Sequence, residues 1–140
     1  MKLGLDLHGV ISDIPDTIRF LARAIIQAGG EVHVLTGTTR EKAEAELQEL
    51  NFTEYTHLLS IPDYHTQHGS EILGIHPVFK NNEFSDEIWD RTKGDYCREH
   101  QIDLHIDDSI IYKDHFTTPF ARLWTLTNTP KLNKPQRHLK

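Results

Sequence analysis

Short apolar runs alternate with segments of helical periodicity along the chain. Residues 2–7 and 32–35 are apolar runs typical of buried strands, and each runs into a polar turn that contains glycine. Between them, Pro15 suits the first turn of a helix, and Gly29 and Gly30 suit its end. The apolar residues of this segment recur at helical spacing: Ile18, Leu21, Ala22, Ile25 and Ile26. This pattern predicts a strand, a helix and a second strand.

Capping signals and further apolar runs predict the remaining elements. Thr38, with Glu41 three residues later, is a capping-box pattern that opens a helix to about Leu50. Ser85 is a predicted cap for a helix that runs to about His100. Strands are predicted at 56–61, 102–106 and 121–126, and a short helix at 110–115. Residues 62–84 are irregular, and we interpret them as a lid-like insert.

The alternation of strands and helices predicts the fold class. It favours an α/β fold: a doubly wound, Rossmann-like, mostly parallel five-stranded sheet with helices on both faces. The length of 140 residues suits a single domain. We expect this domain at residues 1–128, with the insert at about 62–84, and a basic flexible tail at residues 129–140.

Composition narrows the environment and the partners. The net charge of −6 argues against nucleic-acid binding, which needs basic surface. No apolar run approaches the roughly 20 residues that cross a bilayer, so we expect no membrane partner. The single cysteine, Cys97, excludes an internal disulfide and fits a reducing compartment. We therefore expect a cytoplasmic protein in which Cys97 is buried or inert.

Residues that can take part in catalysis or ligand binding lie at the ends of three of the predicted strands. Asp6 ends the first strand, Thr36 and Gly37 follow the second, and the pair Asp107–Asp108 follows the fourth. Ligands of doubly wound sheets bind beyond the carboxyl ends of the strands, so these residues are expected at one site. A carboxylate there can attack a phosphoryl group, and a hydroxyl with free amides can hold phosphate oxygens.

Two further features complete this candidate site. Adjacent ionised carboxylates repel each other, and a hard cation such as Mg²⁺ is the usual way to hold both beside a phosphate. Lys93, on the helix before the fourth strand, could neutralise the phosphate and the attacking carboxylate together. Each feature is weak alone, and their order along the chain is what carries the interpretation.

This order resembles the haloacid dehalogenase superfamily. The segments 3–10, 32–37 and 104–108 are similar to its first, second and fourth motifs. Lys93 is the best match to the third motif, with Lys80 as the alternative. The resemblance implies a magnesium-dependent phosphatase that hydrolyses phosphomonoesters through an aspartyl-phosphate.

The resemblance also implies a role for each residue. Asp6 would be the nucleophile, Thr36 and the amide of Gly37 would bind phosphate, and Lys93 would orient it. The remaining role is magnesium binding, with ligands from Asp6, Asp107 and the backbone carbonyl of His8, and with support through water from Asp108.

His8 departs from the pattern of the family. Phosphatases of the family carry a second aspartate two positions after the nucleophile, where it serves as general acid and base. Histidine can exchange protons near neutral pH, but Mg²⁺ beside it disfavours the acid form. We therefore expect a slow or specialised phosphatase, with a non-catalytic module that binds magnesium and phosphate as the alternative.

The length of chain available for a cap domain over the site bears on the size of the substrate. Thirty positions separate Asp6 from Thr36, and one helix uses them, so the resemblance implies a capless or minimally capped member. The expected partner is a phosphorylated substrate, either a small molecule such as a nucleotide or sugar phosphate or a larger one. Relatives with open sites also use a neighbouring subunit as a lid, which makes a homo-oligomer one of the expected arrangements.

Three histidines lie in the insert, at His65, His68 and His76. The spacing of His65 and His68 could bind zinc, but no cysteine or fourth ligand accompanies them. We interpret the three as surface histidines on a loop.

Overall fold

The computed structural model describes residues 1–78 and 80–125. This part of the chain contains four α-helices and seven strands. It also contains a helical turn at Leu7–Ile11 and a 3₁₀ helix at Ile110–His115. The helices are α1 (Pro15–Gln27), α2 (Arg40–Glu49), α3 (Ile61–Gln67) and α4 (Asp86–Glu99). The strands are β1 (Lys2–Asp6), β2 (Glu31–Thr36), β3 (His57–Ser60), β4 (Gly74–Ile75), β5 (Asn82–Glu83), β6 (Leu104–Asp107) and β7 (Phe120–Arg122).

Five of the strands form one sheet in the order β3-β2-β1-β6-β7. Every neighbouring pair in this sheet is parallel. The chain moves outward from β1 to β2 and β3, and then crosses to β6 and β7 on the other side. The fold is therefore α/β with a parallel five-stranded sheet flanked by helices, as predicted, and it is consistent with a Rossmann-like fold. The strand order reverses beside β1, which is where such sheets bind ligands.

Side chains along each strand alternate between the two faces of the sheet, and each face packs against different helices. One face packs the buried side chains of β1 and β2 against α1 and α2 through Leu3, Leu5, Val32, Val34, Ile18, Ala22, Ala43 and Leu47. The other face packs Leu35 and Leu59 against Cys97 of α4. Each fully buried aliphatic side chain contributes roughly 1.5–3 kcal/mol. Because successive residues of a strand point to opposite faces, Asp6 and Asp107 share the face that α4 covers.

Helix ends follow the sequence signals with one correction. Pro15 opens α1, and Gly29 with φ +86° follows its end. Ser85 caps α4, as predicted, because its hydroxyl accepts a hydrogen bond from the Ile88 amide. The predicted cap of α2 at Thr38 is wrong. Thr39 is the cap, and its side chain accepts a hydrogen bond from the amide of residue 42. Thr38 is buried, and its carbonyl accepts the Ser60 hydroxyl at 2.7 Å instead.

The insert at 62–84 is more regular than its sequence suggests. Its first part belongs to α3, which Ser60 caps, and β4 pairs with β5 as a short antiparallel ladder. The strand predicted at 121–126 is observed as β7 and is shifted toward the N-terminus. Leu126 and the predicted tail at residues 129–140 lie outside the described residues. Within the ranges 1–78 and 80–125, no helix has the length and apolar character needed to span a membrane.

Candidate active site

Asp6 and Asp107 lie side by side at the carboxyl edge of the sheet. β1 and β6 are neighbours, with Leu5 paired to Ile106, so the last residues of the two strands are adjacent. Asp6 is 7% exposed and Asp107 is fully buried. Two buried carboxylates at adjacent strand ends can both be ionised only when positive charge lies nearby, because each disfavours ionisation of the other.

Lys93 supplies positive charge to both carboxylates. Its Nζ lies 3.1 Å from Asp6 Oδ1 and 2.9 Å from Asp107 Oδ2. The lysine is 3% exposed, on the face of α4 that meets the sheet. The next residue, Gly94, packs against a different element, since a Cβ there would overlap the backbone carbonyl of His115. The absence of a side chain at Gly94 thus lets α4 lie close to the end of the 3₁₀ helix at Ile110–His115.

A third carboxylate belongs to the same cluster. Ligand oxygens of Asp6, Asp107 and Asp108 all lie within 4.8 Å of one another. When all three are ionised, three negative charges face the single positive charge of Lys93, which leaves a net charge of −2. Hard oxygen donors in this number suit a divalent cation such as Mg²⁺ or Ca²⁺.

The titration of these groups reflects their burial and their mutual charges. Burial raises the pKa of Asp6 well above its ordinary value, and the charge of Asp107 adds to the rise while Lys93 opposes it. Burial acts in the same direction on Asp107, but Lys93 and a hydrogen bond from His105 outweigh it and lower the pKa of Asp107. Burial opposes the charge of Lys93, yet the two aspartates raise the pKa of this lysine. The raised pKa of Asp6 means that its ionised form requires positive charge in addition to that of Lys93.

His105 supports Asp107 from within the same strand. The two residues share one face of β6, and His105 Nε2 lies 3.0 Å from Asp107 Oδ2. The Ser109 amide donates to the other carboxylate oxygen at 3.1 Å. Gly4 of β1 makes room for the imidazole, because a Cβ there would lie 2.7 Å from His105 Nδ1. Sequence reasoning missed His105, although its position two residues before Asp107 in a strand was an available signal.

Aromatic side chains pack beside Lys93 and Gly37. The Lys93 ammonium lies 4.8 Å from the centroid of the Tyr112 ring. Burial raises the pKa of Tyr112 to about 12, so the phenol is neutral at physiological pH. Trp89 packs against Gly37, where a Cβ would lie 2.9 Å from Trp89 Cζ2. These rings lower the local polarity and strengthen the electrostatic interactions of the buried charges.

Thr36 and Gly37 lie at the end of the neighbouring strand. Leu35 of β2 is the register partner of Asp6, so Thr36 follows one position beyond it. Thr36 is fully buried, and its Oγ1 accepts a hydrogen bond from the Thr38 amide at 3.3 Å. The two predicted phosphate-binding residues are therefore at the same edge of the sheet as Asp6.

His8 and Lys80 are directed elsewhere. His8 Nε2 lies 2.5 Å from Glu46 Oε2 of α2, and both side chains are about two-fifths exposed, at 44% and 40%. Lys80 lies in an exposed turn of the insert with φ +58°. The structure thus brings Lys93, and not Lys80, to the carboxylates, while the described contact of the His8 imidazole is with Glu46.

The remaining sequence expectations concern the cysteine and the insert histidines. Cys97 is fully buried, as predicted, and burial raises the pKa of its thiol to about 12. The interpretation of His65 as a surface residue is wrong. It is buried between α3 and α4, with Nδ1 2.9 Å from Ser70 Oγ and Nε2 2.7 Å from Thr92 Oγ1. The apolar packing of α3 against α4 explains this burial.

No family model, curated protein or solved structure matches this chain. The geometry of the site is what bears on its function. That geometry offers a buried carboxylate at the switch point of a parallel sheet, a lysine between two carboxylates, and three carboxylates able to share a cation. Such an arrangement can bind a divalent cation and an anion, and can present Asp6 as a nucleophile.

Proposed function

We propose that this protein is a magnesium-dependent phosphatase of the haloacid dehalogenase type, which forms an aspartyl-phosphate on Asp6. The observation that carries the proposal is the convergence of Asp6, Asp107 and Lys93, with Nζ–O distances of 3.1 and 2.9 Å. These residues come from three separate segments that the sequence motifs had singled out. A lysine that lies between two buried carboxylates could also neutralise the oxygens of a phosphate bound beside them.

The donor set fits the proposed Mg²⁺. Asp6, Asp107 and Asp108 provide oxygen atoms within 4.8 Å of one another. With all three ionised, their net charge together with Lys93 is −2, which matches a divalent cation. Asp6 and Asp107 would hold the ion directly, together with the carbonyl of His8, and Asp108 would act through water. Bound Mg²⁺ would favour the ionised form of Asp6 and neutralise phosphate oxygens.

The proposed reaction has two displacements. An Asp6 oxygen attacks the phosphorus of a phosphomonoester while the bond from phosphorus to the leaving oxygen breaks, and the leaving oxygen takes a proton. Water then displaces phosphate from the aspartyl-phosphate, which restores the Asp6 carboxylate. Lys93 would orient the phosphoryl group, and Thr36 with the Gly37 amide would bind its oxygens. Proton transfer to the leaving oxygen would fall to His8 or to water.

A specific observation favours a second candidate function, a non-catalytic module that binds magnesium and phosphate. The His8 imidazole forms a short contact with Glu46 of α2. A histidine held there is not positioned as a general acid beside Asp6, and this would reduce turnover without affecting the cation and phosphate sites. The two functions differ in whether bound phosphoester is hydrolysed.

The insert would serve as a partial lid. It carries exposed apolar side chains at Ile72, Leu73, Ile75 and Val78. A lid of this size would leave room for a nucleotide or sugar phosphate, or for part of a larger phosphorylated substrate. A neighbouring subunit in a homo-oligomer could cover the rest. A cytoplasmic location, where Mg²⁺ and phosphorylated metabolites are abundant, remains part of the proposal.

A screen of phosphorylated compounds tests the function. The wild type is assayed with and without Mg²⁺, beside the matched variants Asp6→Asn and Asp114→Asn. Asp114 is an exposed acid outside the cluster, so its replacement controls for loss of one charge. We expect magnesium-dependent release of phosphate by the wild type and by Asp114→Asn, and none by Asp6→Asn. Equal activity of Asp6→Asn would refute the proposal, and magnesium-dependent phosphate binding without turnover would identify the non-catalytic module.

A further inference from the structure

A second cluster of metal-ligating side chains lies at the opposite edge of the sheet. Glu31 opens β2, and His33 follows two residues later on the same face. His57 opens β3 and is the register partner of His33. Ligand atoms of the three residues all lie within 4.8 Å of one another. Since the strands are parallel, this cluster is at their amino ends, whereas Asp6 and Thr36 are at their carboxyl ends.

The spacing of the ligand atoms suits a small tetrahedral ion. Glu31 Oε1 lies 2.8 Å from His33 Nε2 and 3.9 Å from His57 Nδ1. Zinc bonds of about 2.0–2.2 Å at tetrahedral angles place neighbouring ligand atoms about 3.3 Å apart, a value between these two distances. The two imidazoles are stacked, with centroids 4.0 Å apart and an interplanar angle of 4°. Parallel rings direct their nitrogens along separate planes, so His57 would have to turn out of the stack, together with Glu31, for all three ligands to reach one ion. Both side chains are half-exposed, which leaves room for this movement.

The buried member of the cluster has a suitable supporting partner. His33 is 1% exposed, and its Nδ1 lies 2.7 Å from the Tyr96 hydroxyl of α4. With an ion on Nε2, the proton of the imidazole would reside on Nδ1 and be donated to the Tyr96 oxygen. Histidine ligands in metal sites are commonly oriented by such a hydrogen bond from the second ring nitrogen. Tyr96 is itself stacked on His100, with centroids 3.9 Å apart.

The ligand atoms of this cluster have hydrogen-bond partners that a cation would replace. His33 Nε2 lies 2.8 Å from Glu31 Oε1, and His57 Nδ1 lies 2.8 Å from the Thr56 hydroxyl and 3.9 Å from the same Glu31 oxygen. The Thr56 hydroxyl also lies 3.0 Å from the Val32 carbonyl, so it keeps a hydrogen bond when His57 Nδ1 turns toward an ion. In addition, Tyr96 is in the last turn of α4, whose C-terminal carbonyls favour nearby positive charge. This arrangement suits a cation shared by Glu31, His33 and His57.

We propose that Glu31, His33 and His57 form a binding site for a first-row transition metal ion of the zinc class. Two imidazoles and one carboxylate are ligands that zinc accepts and that Mg²⁺, which prefers oxygen, does not select. The exposure of His57 and Glu31 leaves the fourth position to water. Because the ligands come from β2 and β3, the ion ties two neighbouring strands together and stabilises the folded protein by mass action.

Zinc titration by calorimetry tests the site. The protein is kept in saturating Mg²⁺, so that the carboxylates around Asp6 do not compete for zinc. The variants are His57→Ala and Glu31→Gln, both at half-exposed positions. His68→Ala is the matched control, because His68 is also an exposed histidine stacked on an aromatic ring, that of Tyr64 at 4.0 Å.

The expected result is one tight zinc equivalent in the wild type and in His68→Ala. His57→Ala and Glu31→Gln should each weaken it by more than about tenfold, since even the loss of a supporting partner costs 10–100-fold. Zinc should also raise the thermal midpoint of the wild type but not that of His57→Ala. The proposal is overturned if the wild type binds no zinc tightly, if His57→Ala binds it equally well, or if His68→Ala loses it.

Discussion

The imidazole of His8 lies 2.5 Å from the carboxylate of Glu46, on the helix that follows the second strand. His8 is the residue that departs from the resemblance to phosphatases, and in the structure its side chain contacts α2. The nucleophile candidate Asp6 is two residues earlier and faces Lys93 on α4. The residue proposed as the nucleophile and the residue at the position of the proposed proton donor thus contact different helices, α4 and α2.

The first prediction follows from this geometry. His8→Asp removes the contact with Glu46 and places a carboxylate where two like charges repel, so the new side chain turns from α2 toward the site. A positioned general acid contributes about 10²–10⁴-fold. We expect the variant to accelerate the hydrolysis of alkyl phosphates more than that of p-nitrophenyl phosphate, whose leaving group needs little protonation.

A series of phosphoesters with increasing leaving-group pKa measures the effect. The control is Glu46→Gln, which weakens the hold on His8 but adds no acid, and we expect it to leave the ratio of alkyl to aryl rates unchanged. If His8→Asp slows every substrate, then His8 is itself the adapted proton donor, and our interpretation of it as a handicap is wrong.

The second prediction concerns Lys93, whose ammonium is buried between Asp6 and Asp107. Lys93→Met leaves two buried carboxylates without their cation, and breaking a buried pair costs about 3–5 kcal/mol of the free energy of unfolding. Urea denaturation without metal should show this loss. Mg²⁺ should recover part of it, since the ion replaces the missing charge. Lys80→Met, which removes an exposed lysine, is the control and should change stability by less than about 0.5 kcal/mol. Equal effects of the two variants would contradict the assignment of Lys93.

The third prediction uses two glycines with the same backbone angle. Gly9 and Gly29 both have φ +86°, but a Cβ at Gly9 would overlap the Asp108 side chain, whereas a Cβ at Gly29 would meet nothing within 4 Å. Alanine at either position costs roughly 1–2 kcal/mol of stability through backbone strain. Only Gly9→Ala should also lose affinity for Mg²⁺, because it displaces Asp108. Calorimetry on both variants separates the two effects, and unchanged Mg²⁺ affinity in Gly9→Ala would remove Asp108 from the cation site.

The sequence predicted the parallel sheet and the position of its candidate site because both depend on local signals. Apolar runs locate strands, and residues that follow strands meet at one edge of a parallel sheet, so Asp6, Asp107 and Thr36 could be grouped without coordinates. The choice of Lys93 over Lys80 required the packing of α4 on the sheet, which the sequence only suggested.

Other features depended on contacts that the sequence does not encode locally. Thr38 and Thr39 are equally good caps by residue type, and the buried contact between the Thr38 carbonyl and Ser60 decides between them. The same holds for the direction of the His8 side chain, which is determined by Glu46, 38 positions away. The pairing of His33 with His57 depends on the register of β2 and β3, which neither strand encodes alone.

The fourth prediction concerns pH and His65. Burial lowers the pKa of His65, and the positive charge of His68 lowers it further. An unfolded histidine binds a proton near pH 6.5, whereas folded His65 stays neutral to lower pH. The unfolded state therefore binds more protons in this window. The contribution of neutral His65 to the free energy of unfolding is fully present above about pH 6.5. It is lost as the pH falls toward the pKa of folded His65, by up to about 1.4 kcal/mol per pH unit.

Denaturation of the wild type and of His65→Gln across this range measures the contribution. The other titratable and charged groups around His65 include Tyr64 and His68 of the same segment, and Arg91, Asp95, Tyr96, Glu99 and His100 on or after α4. They are present in both proteins, so their effects cancel in the comparison. The wild type should lose more stability than His65→Gln as the pH falls below about 6.5. Parallel curves would show that His65 is not the responsible group.

The central claim is that Asp6 becomes covalently phosphorylated, and trapping this intermediate tests it most directly. The protein is mixed with p-nitrophenyl phosphate and Mg²⁺, quenched, and treated with borohydride, which reduces an aspartyl-phosphate to homoserine. Mass spectrometry of the peptide containing residues 1–19 then reports the modified position. We predict conversion of Asp6 to homoserine that requires both Mg²⁺ and substrate and that is absent in Asp6→Asn. Release of p-nitrophenol by the wild type with Asp6 unmodified would contradict the account.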